Sequence, residues 1–363
     1  MKKLRHAVIG AGRISKKHFA GYAELDNVET IAVCDNDKNL LNKVAETWGI
    51  AETTTDYKTI LARGDIDFVS ICLPNCFHAP VSIDALLAGK HVHCEKPMAT
   101  DAESAAEMAA VAEKSGKVLM IALNNRFTIY AQYIKNLVNS GWLGDIYFAK
   151  CGWLRRNGLP YHGWFSEVKF AGGGALIDLG VHLIDMVMFM MDYPKVDTVS
   201  ARTYTKFGGD ENSQMYAYQN MPIAPGLKFD VEDLAAGMIC LKNNASIMFE
   251  ISWASNIEKE YYFYELYGSK GGLLFRVDVA DINMTGGADE TTLKLFGAMN
   301  GQLVDLKPLV HPNSYPLTEF SHFVDCILTG KTSKIAPTRQ GVEMMRIIDA
   351  IYKSSETKRQ FVF

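Results

Sequence analysis

Short apolar runs alternate with helical patterns along the first third of the chain. The runs fall at residues 6–9, 29–34, 67–73, 90–94 and 117–122. Between them, apolar positions recur at helical spacing over about 14–25, 38–48, 55–63, 78–88 and 101–115. Continuous runs such as Asp67-Phe68-Val69-Ser70-Ile71-Cys72-Leu73 suit a parallel sheet buried on both faces. Strand–helix alternation implies right-handed crossovers and a doubly wound sheet.

The pattern changes after about residue 123. It predicts a helix at 130–140, a strand at 145–151, then a break at Gly172-Gly173-Gly174 and a helix running to about Met191. Strand-like stretches follow at 197–204, 232–241, 245–254, 261–267 and 272–276, with polar and glycine-rich turns between them. That spacing predicts a mostly antiparallel sheet with helices on one side. Residues 205–230, with Gly208-Gly209, Pro222 and Pro225, read as a long excursion, and 285–316 are poorly patterned. Helix returns at 316–329 and 338–354. The expected architecture is α/β in two domains. Residues 1–123 carry the doubly wound parallel sheet. Residues 124–363 carry a large, open, mostly antiparallel sheet for substrate binding and oligomerisation, and the C-terminal helix has the option of packing back on the first domain. The strands at 232–241 and 245–254 place apolar residues on both faces, Met238 and Met248 among them. A second copy of the chain is the simplest cover, so a homodimer or homotetramer is expected.

Composition narrows the class. The chain has 363 residues, 48% hydrophobic and 21% charged, with a net charge of −4. It carries no basic stripe of the kind nucleic acid requires. Lys2-Lys3-Arg5 resembles the start of a secretory signal, but Gly10-Ala11-Gly12 arrives before an apolar core of sufficient length. No apolar run approaches the roughly 18 residues of a membrane span. Seven dispersed cysteines without a C-x-x-C pair suggest a reduced, cytoplasmic protein.

The first strand ends at Gly10-Ala11-Gly12, and a helix follows at once. Strand, glycine turn and helix form the cradle of a Rossmann-type dinucleotide site. Gly10 allows the turn, Gly12 admits the pyrophosphate, and the helix directs its free N–H groups at the anion. Arg13 and Ile14 complete the loop, and Ser15 occupies the third small position. The second strand ends at Asp35, where a carboxylate accepts bonds from the adenine ribose and repels a 2′-phosphate. NAD is therefore favoured, with NADP left possible by Asn36 and Lys38. Asp35 also suits a solvated turn or a helix N-cap. Three further polar clusters fall at strand ends on the same edge: Pro74-Asn75, Glu95-Lys96-Pro97 and Asn124-Asn125-Arg126.

Lys96 would stand at that edge, where a partly desolvated ammonium can give and take protons. Asp178 and His182, four residues apart, share one face of an otherwise apolar helix, and Asp185 lies one turn on. A carboxylate-oriented histidine can move a proton near neutral pH, but the same spacing suits a pair satisfied within the helix. A metal reading would add Glu95 or His162. Nothing fixes a third ligand, so no metal is expected.

These motifs resemble the Gfo/Idh/MocA oxidoreductases essentially end to end. Gly10 to Ser15 resembles their cofactor loop, and Leu73-Pro74-Asn75-Cys76-Phe77-His78 their P-N-x-x-H segment. Glu95-Lys96-Pro97 matches E-K-P, and Gly173 to His182 matches G-G-x-L-x-D-x-G-x-H. The resemblance implies a bound nicotinamide cofactor held by Gly10, Gly12, Arg13, Ile14, Asp35, Pro74, Asn75, His78, Glu95, Lys96, Asn125 and Arg126. It implies proton transfer by Lys96 and His182, a substrate hydroxyl on Asp178, and a cis Lys96–Pro97 bond. The loop holding Arg155, Arg156 and Trp164 offers polar and flat aromatic contacts for a sugar.

The expected activity is NAD(P)-dependent hydride transfer at a secondary alcohol of a cyclic sugar or polyol. One alternative is an NAD-dependent glycosidase working by transient oxidation and elimination. Another is a cofactor-binding sensor without catalysis, although such a protein would normally have lost Lys96, Asp178 or His182. The enzymatic reading requires Lys96 and His182 to converge on the same ring of a bound nucleotide.

Overall fold

The computed structural model describes all residues except 1–2, 162, 210, 221, 224–225, 280–289 and 312–316, with the backbone alone at 211, 212 and 220. The chain forms two compact units. The first comprises Met1–Phe127 and Leu317–Met345, the second Thr128–Pro316 and Arg346–Phe363.

The first unit alternates strand and helix: β1 (Leu4–Ile9), α1 (Ser15–Ala23), β2 (Val28–Cys34), α2 (Lys38–Trp48), β3 (Glu52–Thr54), α3 (Tyr57–Leu61), β4 (Phe68–Ile71), α4 (His78–Leu87), β5 (His91–Cys94), α5 (Ala102–Ser115) and β6 (Leu119–Ile121). The strands form one six-stranded parallel sheet in the order β3-β2-β1-β4-β5-β6. The order reverses between β1 and β4, the point beyond whose C-terminal ends such sheets bind ligands. Apolar residues fill both faces. Val8, Val33 and Cys72 pack under Phe19, Leu41 and Val44, with Ile14 and Trp48 at the margin. Asp37 and Asp101 start α2 and α5 by accepting backbone N–H bonds, and Gly49 and Gly116 end them in the left-handed conformation.

The second unit begins with α6 (Ile129–Asn139), β7 (Ile146–Leu154), α7 (Val168–Ala171), a π-helical turn at Leu176–Gly180, and α8 (Val181–Met190). It continues through β8 (Val196–Tyr204), β9 (Leu234–Leu241), β10 (Ser246–Ser252), β11 (Tyr261–Gly268), β12 (Gly272–Asp278), β13 (Glu290–Met299) and β14 (Gln302–Leu306). Among the described residues these join a nine-stranded sheet, β14-β13-β12-β11-β7-β10-β9-β8-β15, closed by β15 (Phe361–Val362). Its described pairs are antiparallel except β7 with β10. Val168–Met190 is long and apolar enough to cross a membrane, but of its most apolar 18 residues, with a mean hydropathy of 1.5, 89% are buried inside the fold. Its apolarity serves the core. Ile247, Phe249 and Ile251 are buried on one face of β10, whereas Met238 and Met248, on the open face, stand 39% and 44% exposed.

The expected parallel sheet and open, mostly antiparallel sheet are both present. Four strands escape sequence patterning. β3 is a polar Glu-Thr-Thr triplet at the sheet margin, and β15 is two residues long. The region read as unpatterned, 285–316, contains β13 and β14. Leu293 and Leu295 are buried while Lys294 and Phe296 are not, so the alternation exists but is short. The helix expected without interruption to Met191 instead begins as a π turn. After the sheet come α9 (Glu319–Thr329) and α10 (Thr338–Thr357). α9 opens on a Thr318/Ser321 capping box and packs in the first unit, whose second segment runs to Met345 within α10.

Candidate active site

The glycine turn of the first unit leaves room where a phosphate would approach. Gly10 has φ +98°, and a Cβ there would lie 2.4 Å from the Cys72 carbonyl oxygen, so only glycine fits. A Cβ on Gly12 would meet nothing within 4 Å. No packing inside the chain demands a glycine at Gly12. The opening of α1 has no side-chain cap and no acidic residue in its first turn. Ser15 Oγ donates to the Gly12 carbonyl (2.7 Å), fixing the turn from within. Asp35 Oδ2 accepts from Ala11 N–H (2.7 Å) and Oδ1 from Asp37 N–H (2.9 Å), which holds the carboxylate against the loop. A dinucleotide fits this set: an open glycine, an uncapped helix start and a fixed carboxylate at the end of β2. Arg13 is exposed at the tip of the loop, and Ile14 is half-buried in the core beside it.

The other strand ends divide into two kinds. Pro74 leads a short 3₁₀ turn at Asn75–Phe77, and Asn75 is 7% exposed. Lys96 is half-buried just past β5, and its bond to Pro97 is cis, as the family resemblance implied. Asn125 lies half-buried in a 3₁₀ turn after β6, where the neighbouring Asn124 Oδ1 is buried without a partner. His78 and Arg126 point inward. His78 sets Nδ1 on the Pro97 carbonyl (2.6 Å) and Nε2 on the Leu73 carbonyl (2.9 Å), tying two strand-end loops together. Burial lowers its pKa against the pull of those carbonyls. Arg126 is fully buried and donates to the Ile335 carbonyl (2.6 Å) and Gln340 Oε1 (2.5 Å). Both were expected to touch the cofactor. In the structure His78 bonds two main-chain carbonyls and Arg126 bonds the returning segment, so both side chains tie the unit together.

Behind Lys96, Glu95 is 12% exposed and its Oε1 accepts from His18 Nε2 (3.0 Å). Burial raises the pKa of Glu95, but the His18 hydrogen bond and the charges of His18, Lys96 and His78 outweigh it and hold the carboxyl below its usual range. Sequence reading missed His18. A histidine on the inner face of α1 carries no signal until its partner, 77 residues away, is known.

In the second unit the triple glycine is crowded rather than open. A Cβ on Gly173 would lie 1.9 Å from the Tyr352 hydroxyl, and one on Gly174 1.9 Å from the Glu232 carbonyl oxygen. Glu232, 7% exposed, accepts from Gly174 N–H (2.9 Å), Leu176 N–H (2.8 Å) and the Tyr352 hydroxyl (3.0 Å). It thus satisfies the free N–H groups where the helix begins. Burial pushes its pKa up in spite of those donors. The helix it fixes carries Asp178 in the π turn and His182 in α8, both half-buried. Single π turns concentrate at functional sites. Asp178 Oδ2 accepts from Trp253 Nε1 (3.0 Å), and His182 lies 6.1 Å, ring to ring, from Trp153. Asp185 is buried and takes the Tyr193 hydroxyl, which explains the third polar residue of the stripe.

Trp153 Nε1 and Arg155 Nε both donate to Glu260 Oε1 (2.8 and 3.0 Å), and the Arg155 guanidinium stacks over Trp153 and Tyr218. Arg155 is therefore locked beside the aromatic neighbour of His182. Arg156 is exposed and donates to the Glu258 carbonyl (2.9 Å). Trp164 is half-buried and stacked on Phe165 at 4.2 Å. His162 lies outside the described residues. Among the described residues no group of three or more His, Cys, Asp or Glu side chains is placed to hold a metal ion.

Comparison with known proteins matches residues 4–123 to an oxidoreductase family with an NAD-binding Rossmann fold, and residues 131–274 to a GFO/IDH/MocA C-terminal domain. The D-glucoside 3-dehydrogenase of Escherichia coli is 33% identical over 359 residues, covering 98% of this chain and 96% of that protein. The levoglucosan dehydrogenase of Pseudarthrobacter phenanthrenivorans is 27% identical over 298 residues, covering 77% and 75%. The solved structure of a levoglucosan dehydrogenase in complex with NADH superposes with a TM-score of 0.84 at 22% identity over 99% of each chain, a likeness of fold.

Proposed function

The chain belongs to the GFO/IDH/MocA oxidoreductase family, and from that premise we propose that it oxidises a ring hydroxyl of a glucoside, at C3, with NAD. Its first domain is the NAD-binding Rossmann domain of that family, and the protein is an oxidoreductase. The observation that carries the finer reading is the 33% identity to a glucoside 3-dehydrogenase across 98% of the chain, with Lys96, Asp178 and His182 all in place.

When bound, NAD accepts the hydride. The protein supplies placement and proton handling. Asp178, oriented by Trp253, accepts a hydrogen bond from a sugar hydroxyl. His182, through a ring nitrogen, or Lys96 Nζ receives the proton that leaves the reacting hydroxyl. Arg155, held by Glu260, shapes the sugar pocket through Trp153, while Arg156 and the Trp164–Phe165 stack supply outer contacts. Asp35 favours NAD over NADP. We also infer a homo-oligomer with the open face bearing Met238 and Met248 against a second copy. The seven free thiols suit the cytoplasm.

The test is a screen of free sugars, inositols and alkyl or aryl glucosides with NAD and NADP, following NADH at 340 nm (a nicotinamide property) and aglycone release in parallel. A 3-keto glucoside formed with NADH supports the reading. Aglycone release without net NADH replaces it with the glycosidase mechanism. In an active preparation, Lys96→Ala should retain NAD affinity within about threefold and lose turnover by at least about a hundredfold. An undiminished rate in that variant removes Lys96 from the chemistry. A Lys96→Ala/His182→Ala double variant scarcely slower than either single variant would show that the two groups serve one step.

A further inference from the structure

Five hydrogen bonds run in line through the first unit. Thr30 Oγ1 on β2 meets His6 Nδ1 on β1 at 2.9 Å. His6 Nε2 meets Ser70 Oγ on β4 at 2.9 Å. The same Ser70 oxygen meets His18 Nδ1 on α1 at 2.9 Å. His18 Nε2 then meets Glu95 Oε1 at 3.0 Å, and Glu95 Oε2 accepts from the Lys96 backbone N–H at 3.2 Å. His6, Ser70 and His18 are each 0% exposed. Two imidazoles and a hydroxyl have thus been carried into a parallel sheet's core, where polar groups cost free energy unless fully bonded. Here each ring nitrogen of His6 and His18 has a partner.

The carboxylate at one end sets the direction of the chain. An ionised Glu95 only accepts, so His18 Nε2 must carry hydrogen. If His18 holds one proton, Nδ1 accepts from the Ser70 hydroxyl. Ser70 Oγ then accepts from His6 Nε2–H, and His6 Nδ1 accepts from Thr30. If His18 holds two protons, Ser70 turns round to donate to His6 Nε2, and His6 Nδ1–H donates to Thr30. In both arrangements Nε2–H of His18 faces Glu95. The side chains behind His18 fix which nitrogen it presents, and His93, 4.9 Å away ring to ring, and the edge of Phe320 at 5.5 Å hold the ring plane.

We propose that His18 is a positioning residue for the oxidoreductase reaction. It clamps the Glu95 carboxylate, and Glu95 in turn fixes the backbone from which Lys96 extends. Ser70 and His6 keep the clamp in register. The proposal rests on the proton-transfer role given to Lys96 above. It assigns the Glu of the E-K-P segment a task of its own: Glu95 is the rigid base of Lys96, gripped from beneath by a helix that begins at the glycine turn. The same helix α1 therefore serves the cofactor at its start and the reacting lysine in its first two turns.

The paired variants His18→Asn and His18→Gln test it. The asparagine amide reaches about as far as Nδ1 and keeps only the Ser70 contact. The glutamine amide reaches about as far as Nε2 and can still donate to Glu95. We expect His18→Asn to lose kcat about tenfold or more, with KM for sugar and the NAD dissociation constant within about threefold, and His18→Gln to recover most of that loss. Equal rates in the two folded variants overturn the clamp. If neither His18 variant folds, Ser70→Ala, which deletes one hydroxyl, should lower kcat several-fold with NAD binding intact, and a wild-type kcat overturns the proposal. A second readout needs no turnover. In ¹⁵N-histidine NMR of the folded protein, one imidazole should show a hydrogen-bonded Nε2–H whose signal moves in Glu95→Gln. Its absence removes the clamp whatever the substrate. Its presence in a protein that oxidises no sugar would sink the reaction reading and leave the hydrogen bond standing.

Discussion

Two glycine turns in this chain each feed a helix, and they are built on opposite physical terms. Gly10-Ala11-Gly12 needs glycine for a left-handed φ and for empty space, since Gly12 has nothing within 4 Å of where a side chain would stand. Gly173-Gly174 needs glycine because the space is filled by Tyr352 and by the main chain of Glu232. The helix starts differ to match. α1 has no side-chain cap and no carboxylate in its first turn. The second helix start has Glu232 accepting from Gly174 and Leu176. One start is left for an anion from outside the chain, and the other has an anion built in. Two glycine-rich motifs that look alike in sequence thus mark a ligand site and a packing joint.

The sharpest way to break that contrast is Gly174→Ala. Its Cβ would press on a backbone carbonyl that cannot rotate away, so overpacking should destabilise by on the order of 3 kcal/mol or leave no folded protein. A thermal midpoint lowered by at least about 5 °C, or insoluble expression, is expected. A variant melting like the wild type would mean that the joint is not tight. Gly12→Ala should do the reverse. It should fold with a midpoint within about 2 °C of wild type, because nothing in the chain opposes the new methyl group. It should bind NAD at least about tenfold more weakly, read by quenching of protein fluorescence, because the methyl group occupies the approach to the phosphates. Unchanged NAD affinity would contradict the cradle.

Which parts of this were legible in the sequence follows from how far each feature reaches along the chain. The parallel sheet, the first glycine turn and Asp35 are set by local pattern and by one short spacing, and all three lie where periodicity and turn chemistry put them. The strand-end clusters were located correctly as positions. The bonds their side chains make were not legible: His78 and Arg126 reach carbonyls of Leu73, Pro97 and Ile335, which no local pattern announces. Glu232 lies 58 residues from the glycine whose N–H it accepts, and Ser70 lies 52 residues from His18. Pairings at such separations are made by the fold, so a single sequence shows the members and not the bonds. β13 and β14 were missed for a different reason, because these outlying strands bury too few residues to set up a clear alternation.

A buried carboxylate from each unit, Glu232 and Glu319, extends the comparison. Both oxygens of Glu232 accept donors. Glu319, 8% exposed at the start of α9, has an Oε2 with no hydrogen-bond partner. Burial, then the nearby negative charge of Glu95, push Glu319 up to about 8, with Lys17 pulling the other way. The native protein therefore keeps a proton that the unfolded chain releases near pH 4.3. Between those two values the native state binds more protons than the unfolded state, so this group's contribution to stability falls as pH rises and levels off above about 8. Over the whole window the loss is on the order of 5 kcal/mol. Glu95 lies below its usual range and stays ionised throughout. The buried His6 and His93, both lowered well below 6.5, are shared by wild type and variant and cancel in their difference. Glu319→Gln has no proton to lose. Its stability relative to wild type, measured by denaturant titration at half-unit steps from pH 5 to pH 9, should rise steadily and then flatten. Parallel curves for the two proteins would mean that Glu319 is already ionised at pH 7 in the native state.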